Sequence, residues 1–178
     1  MANQSDLDNL RNQIDKLDSK LIELLSERAS IVVEIGKYKR DSNTPIYAPH
    51  RERAVLDRIL AENKGPLPDK TIEAIYRELM SGSFQLEQPL KIAHLAPNGS
   101  FSHIAAIRHF GSSVSCVGVP TIERVFREVA AGHCNYGLVP YENSTSGSIT
   151  DTLDAFQEHD VTIYAEALID IRHCLLCN

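Results

Sequence analysis

Leu7, Leu10, Ile14, Leu17, Leu21 and Leu24 recur at alternating steps of three and four residues, and after Arg28 the rhythm resumes with Ile31, Ile35 and Tyr38. This spacing predicts one long amphipathic helix that packs an apolar seam against other helices. Ser5-Asp6-Leu7-Asp8 offers a Ser N-cap with an acidic residue three positions on, and Asp41-Ser42-Asn43-Thr44-Pro45 supplies polar, proline-punctuated stop signals. A helix over residues 6–41 extends ~50 Å at 1.5 Å per residue, too long for one small globule to cover. Two shorter helices are predicted over residues 49–63, with Pro49 at the start and Gly65 beyond the end, and over residues 70–87, closed by Pro89. Three helices in the first ninety residues, one of them overlong, imply a dimer that shares its core.

From Lys91 onward the period changes. Strand patterns at 92–96, 114–119, 136–140 and 161–176 alternate with helical patterns at 101–110, 122–131 and 149–159, which predicts a mostly parallel sheet flanked by helices. The short Gln88-Pro89-Leu90 join divides a helical domain, residues 1–90, from an α/β domain, residues 91–178. So brief a linker should keep the two close together. Neither repeats nor low-complexity tracts occur.

The break in the seam is the first chemical signal. A guanidinium on the driest face of a helix is costly to desolvate and cannot shed its proton, so an anion is expected to meet Arg28 there. The same spacing also suits a polar seam residue that only fixes helix register. At 100° per residue Arg28 and Lys39 differ by about 20° around the axis and stand ~16 Å apart along it, a gap the size of a small molecule. Arg11 lies ~25 Å from Arg28 and about 100° away, out of reach in cis but able to enter a partner's site in an antiparallel dimer. Arg51 and Glu52 follow Pro49, and Ser83 and Glu87 are one turn apart on one face of the third helix. Any one of these residues alone reads more readily as an ordinary solvated side chain.

Two turns in the second half, Pro97 to His103 and Asn143 to Gly147, place glycine and hydroxyl residues at helix starts. Such turns expose backbone N–H groups to anions, and they also serve plain capping and turn chemistry. The four cysteines have no framework spacing. Cys174 and Cys177 read C-x-x-C, but a strand would point them to opposite faces, which argues against a metal or redox pair. The histidines after residue 91 lack ligand spacing, so no metal or other cofactor is expected. The chain is 43% hydrophobic with net charge −6, and 13 basic against 15 acidic residues lie in the first ninety. That balance argues against a nucleic-acid partner. A polar N-terminus and the lack of any apolar run of membrane length argue against a membrane and for a cytoplasmic address.

Leu10-Arg11, Glu27-Arg28, Gly36-Lys37-Tyr38-Lys39, Pro45 followed by Arg51-Glu52, and Ser83-Phe84-Gln85-Leu86-Glu87-Gln88 carry a resemblance in their order and spacing. The first ninety residues resemble the all-helical chorismate mutase family, specifically the amino-terminal domain of the bifunctional chorismate mutase/prephenate dehydratases of phenylalanine biosynthesis. The resemblance implies an intertwined homodimer of three-helix chains and a cationic cage for chorismate. Arg28 and the partner subunit's Arg11 would hold the two carboxylates, and Lys39 would donate to the ether oxygen of the Claisen rearrangement. Glu52 would accept from the ring hydroxyl, Arg51 would add positive field, and Ser83 and Ala48 would line the site. At the second position around the ether oxygen the family carries an amide or a carboxyl. Here it is Glu87, which must be protonated to donate. Position 48 is acidic in some relatives, and its usual role involves the backbone, so Ala48 is a minor departure.

Gly99-Ser100-Phe101-Ser102, Val139-Pro140-Tyr141-Glu142-Asn143-Ser144 with Gly147, Thr152-Leu153-Asp154 and His173-Cys174-Leu175-Leu176 resemble the prephenate dehydratase catalytic domain, with Ala96-Pro97 where the family usually has Gly-Pro. That domain is two-lobed, of periplasmic-binding-protein-like type. The resemblance implies that Ser100, Phe101, Ser102, Asn143, Ser144 and Gly147 form substrate loops for prephenate. It covers roughly the first half of the domain; the second lobe, a Thr-Arg-Phe motif holding the principal catalytic threonine, and a regulatory ACT domain do not occur before Asn178. The sequence is therefore expected to be a fragment or a truncated product that releases prephenate, forms no phenylpyruvate and does not respond to phenylalanine. Two other classes fit parts of the pattern: an isochorismate pyruvate lyase-like enzyme, and a non-catalytic helical dimerisation module. The dehydratase-like half weighs against the first, and the joint occurrence of Arg28, Lys39 and Glu52 against the second.

Overall fold

The structure is a computed structural model and describes residues 4–42, 44–172, 174 and 175. By internal contacts it divides into two compact units, Met1–Ile46 and Tyr47–Asn178.

The first unit is a single helix, α1 (Gln4–Asp41), and the turn after it. Asp6 in the first turn and Lys39 and Arg40 in the last complement the helix dipole. Ser5 lies inside the first turn rather than capping it, a shift of the kind helix ends commonly show. At the other end the Ser42 hydroxyl donates to the Tyr38 carbonyl (2.8 Å) and the Thr44 amide to the Lys39 carbonyl (2.9 Å), so the chain leaves the helix in a bonded turn before Pro45.

The second unit begins with α2 (Pro49–Glu62) and α3 (Asp69–Glu87), which pack together, and continues into an α/β layer. Strands β1 (Lys91–Leu95), β2 (Ser115–Val119) and β3 (Tyr136–Leu138) form a parallel sheet in the order β2-β1-β3. Helices α4 (Phe101–Phe110) and α5 (Ile122–Ala130) make the crossovers, and α6 (Thr150–Glu158) packs on α5. The central strand is buried on both faces, as parallel strands are. Ala93 faces α5 through Val125, while the ring of His94 lies 4.8 Å from that of His103 on α4. Thr152 is fully buried and its hydroxyl donates to the Pro140 carbonyl (2.6 Å), tying α6 to the end of the sheet.

A polar seam joins α3 to the turn between α4 and β2. Arg77 donates to the His109 carbonyl (3.0 Å), Glu78 accepts from the Ser112 hydroxyl (2.6 Å), the Ser81 hydroxyl accepts from the Ser113 amide (3.0 Å), and Gln85 donates to the Ser113 carbonyl. Positions 77, 81 and 85 form one stripe of the helix. On a helical wheel, Ser83 and Glu87 fall on roughly the opposite side.

Two expectations are corrected. The strand expected over 161–176 is absent among the described residues, which run without regular structure from Val161 to Leu175. A strand needs a ladder partner, and the neighbouring edge offers only the three residues of β3 before Pro140. Instead Val161 packs on the cluster around Phe126, and the Tyr164 hydroxyl donates to the Tyr47 carbonyl (2.9 Å). The segment after β3, expected as a simple turn, contains a small antiparallel hairpin, β4 (Glu142–Asn143) and β5 (Gly147–Ser148). His173, Leu176 and Cys177 lie outside the described residues.

Candidate active site

In α1 every described residue from Gln4 to Leu24 is exposed, whereas Arg28 and Lys39 are half-buried. The ammonium of Lys39 donates to the Ile46 carbonyl (2.8 Å), so the turn after the helix holds one of the two aligned cations in place. Arg11 is solvent-exposed and pairs with Asp8 (3.2 Å), an exposed contact of the kind that contributes little and is easily exchanged. The leucine seam itself is open: Leu10 is 57% exposed and Leu17 63%.

The second unit carries the other mutase-like residues in two groups. Ala48 is the N-cap of α2, and its carbonyl accepts from the amides of Arg51 (2.9 Å) and Glu52 (3.1 Å). Its side chain plays no capping part, which fits a position whose contribution is backbone. Arg51 is exposed and Glu52 half-buried. Near the end of α3, Ser83 and Glu87 are both buried, one turn apart, and the Ser83 hydroxyl donates back to the Leu79 carbonyl (2.8 Å).

The dehydratase-like loops show turn chemistry. The Ser100 hydroxyl caps α4 by accepting from the His103 amide (3.2 Å) and donates to the Leu95 carbonyl (2.8 Å). Phe101 is exposed and Ser102 half-buried on the first turn of α4. The Asn143 side chain accepts from the Thr145 amide (3.0 Å) across the hairpin, Ser144 is exposed at its tip, and Gly147 takes a φ of +73°. Among the described residues no group of three or more His, Cys, Asp or Glu is placed to hold a metal ion, and no helix is long and apolar enough to cross a membrane.

The sequence pattern did not reveal a knot of rings at the start of α2. Tyr47 is 1% exposed and packs edge-on or tilted, with ring centroids 5.0 to 5.9 Å away, against Phe84, His109, Phe110, Tyr136 and Tyr164. Its hydroxyl donates to Nε2 of His109. Burial, then the Glu52 carboxylate, push the Tyr47 phenol well above its ordinary range, while burial and the Arg77 guanidinium hold His109 below its usual value. Both shifts favour the neutral pair, with tyrosine as donor and imidazole as acceptor. Burial also raises Tyr136 to about 12. The only advance signal is that Ile46-Tyr47, two bulky residues, stand in an otherwise polar connection.

The depressed His109 has a measurable consequence. The unfolded chain takes up this proton near the ordinary value of 6.5, and the folded one only at lower pH. The contribution is fully present above about 6.5 and is lost as pH falls below it. Stability measured by urea unfolding should therefore fall between pH 7 and 5, and His109→Gln, which does not titrate, should remove that component. An unchanged slope in the variant would mean that His109 is not buried in its neutral form.

A long helix carrying two aligned cations, a helical pair with paired polar residues, and a following parallel α/β layer define the class: a helical segment joined to a parallel α/β layer. Residues 10–88 match the family of chorismate mutase type II, and residues 92–178 match that of prephenate dehydratase. The chain is 46% identical over 181 residues to the bifunctional chorismate mutase/prephenate dehydratase of Pseudomonas aeruginosa, covering 99% of this chain and 50% of that protein. It is 41% identical over 175 residues to that of Aquifex aeolicus, covering 96% and 48%. A chorismate mutase structure from Thermus thermophilus is 37% identical with a TM-score of 0.46, over 47% of this chain and 94% of that one. The chain belongs to the family of bifunctional chorismate mutase/prephenate dehydratases, and it spans about half the length of the relatives it matches.

Proposed function

We propose that this chain is a cytoplasmic chorismate mutase, acting as a homodimer and converting chorismate to prephenate for phenylalanine biosynthesis. In this reading the α/β segment is the first part of a prephenate dehydratase domain. The observation that carries the reading is the withdrawal of Arg28 and Lys39 from water on one stripe of a helix whose first five turns are exposed. Guanidinium forks suit carboxylates, so Arg28 and the partner subunit's Arg11 would bind the substrate's two carboxylates. Lys39 would stabilise the negative charge that develops on the ether oxygen as its bond breaks. Arg51 adds positive field, Glu52 accepts from the ring hydroxyl, and Ser83, Glu87 and the backbone at Ala48 complete the binding set. A pericyclic step needs no nucleophile. Its catalysis lies in holding the folded diaxial conformer and in charge stabilisation that appears only in the transition state. The open leucine seam of α1 supports the dimer, because so long an apolar stripe is rarely left to water. For the α/β segment, prephenate loops at Ser100, Phe101, Ser102, Asn143, Ser144 and Gly147 are supported by the family match over residues 92–178.

The test is to incubate the purified chain with chorismate and follow its loss and the appearance of prephenate. Pyruvate release from isochorismate would instead indicate a lyase, and inertness toward both a dimerisation module. Glu87 gives a sharper check. Only a protonated carboxyl can donate a hydrogen bond to the ether oxygen, whereas an amide always can. Glu87→Gln supplies a permanent donor of nearly the same shape, and it should keep or raise kcat/KM for chorismate. An inactive Gln variant removes Glu87 from the ether oxygen.

A further inference from the structure

The first turn of α2 carries Ala48, Arg51 and Glu52, yet what fixes that turn is a set of residues from the α/β layer. Tyr47 immediately precedes it and is the most enclosed large side chain at that end of the helix. Its ring is walled by His109 and Phe110 from α4, Tyr136 from β3, Tyr164 from the segment after α6, and Phe84 from α3. The Tyr164 hydroxyl holds its carbonyl, and the His109 imidazole accepts from its phenol. His109 is itself pinned, since its carbonyl accepts from Arg77 on α3. Side chain and backbone of one residue are thus clamped from three elements of the dehydratase-like segment, one peptide before the N-cap of α2.

We propose that His109, acting through Tyr47, is a positioning residue for the mutase reaction: the α/β segment sets the orientation of Arg51 and Glu52 by holding the residue that launches α2. The inference rests on the proposed mutase function. Nothing in the α/β layer need touch chorismate. A turn released at Tyr47 gains freedom where the substrate hydroxyl and field-supplying guanidinium require fixed geometry, and small misplacements of binding groups are kinetically expensive.

The experiment is a double-mutant cycle in the full chain with Tyr47→Phe, which loses only the hydroxyl oxygen, and His109→Ala, with His109→Gln as the conservative variant. Each single change should lower kcat/KM for chorismate about five- to ten-fold, the scale of one lost hydrogen bond. KM should rise as well as kcat fall, because Glu52 is proposed to touch the substrate in the ground state. The double variant should be no worse than the poorer single one, and His109→Gln, which keeps an acceptor, should recover most of the loss. Amide exchange at residues 50–53 should quicken in Tyr47→Phe relative to the rest of α2. A purely structural role would lower the active fraction, and hence the apparent kcat, with KM and local exchange unchanged. That result, or additive effects in the cycle, overturns the proposal. If His109→Ala fails to fold, the Tyr47→Phe and His109→Gln pair decides it. An active wild type with unaffected variants ends this inference alone, whereas a wild type inert toward chorismate ends both it and the proposed function.

Discussion

Arg28→Ala and Arg11→Ala should each lose activity toward chorismate by about 10²-fold or more, the effect of deleting one preorganised donor to a developing or fixed negative charge. Mixed and re-equilibrated, the two inactive proteins should regain part of it. The reason is the placement of the two arginines on one rigid rod. They stand ~25 Å apart along α1 at 1.5 Å per residue, so one small ligand cannot bridge them within a single helix. Arg11 is exposed and its pair with Asp8 is a solvent-exposed one that exchanges easily, so its guanidinium can reach across a dimer interface formed by the open seam. In a two-site dimer whose sites each take Arg28 from one chain and Arg11 from the other, a heterodimer of the two variants assembles one site with both arginines intact and one with neither. Activity is measured as chorismate loss at equal total protein after dissociation and reassembly. If the mixture remains as inactive as its components while forming dimers, the sites are not shared.

The helical half was largely legible in the sequence because a 3.6-residue period needs no knowledge of what packs on it. The run from Leu7 to Tyr38 showed α1, and proline and glycine punctuation located α2 and α3 to within a residue or so. The parallel layer was legible from its alternation of elements, as the β2-β1-β3 order bears out. The segment from Val161 misled because extended, apolar-rich chain becomes a strand only where a ladder exists to receive it. The functional residues that stood out were those that broke a pattern, such as Arg28 in a leucine seam. Tyr47 showed only as one of two bulky residues in a short connection, and its partners His109 and Tyr164 lie 62 and 117 residues away, so only the folded chain could bring them together. The seam from α3 to residues 109–113 was hidden for the same reason: nothing marks Arg77, Glu78, Ser81 and Gln85 in the sequence until the turn carrying Ser112 and Ser113 is laid along them.

That seam makes Gly111→Ala a strongly destabilising small substitution in the second unit. Gly111 ends α4 with φ +78° and ψ −175°, a region open essentially to glycine, and any other residue there carries about 1–3 kcal/mol of backbone strain. A Cβ on Gly111 would also sit 2.4 Å from Cβ and 2.6 Å from Oγ of Ser81, a residue with no exposed surface whose hydroxyl receives the Ser113 amide. Neither side can yield, since one is the helix α3 and the other the turn bonded to it, and such overpacking adds about 1–3 kcal/mol. For a chain of this size each kcal/mol moves Tm by ~2–4 °C, so a fall on the order of 10 °C is expected. Two other glycines separate the causes. Gly132 has φ +72° but open space around its Cβ, so Gly132→Ala should show the strain without the clash and lose only part as much. Gly82 sits within α3 with nothing near its Cβ, and Gly82→Ala should raise Tm slightly through the better helix propensity of alanine. Thermal unfolding of the three variants against the parent chain gives the ranking directly. Equal losses at Gly111 and Gly132 would mean that α3 does not lie against the α4–β2 turn, and with it would go the support for Ser83 and Glu87 being held on the far side of that helix.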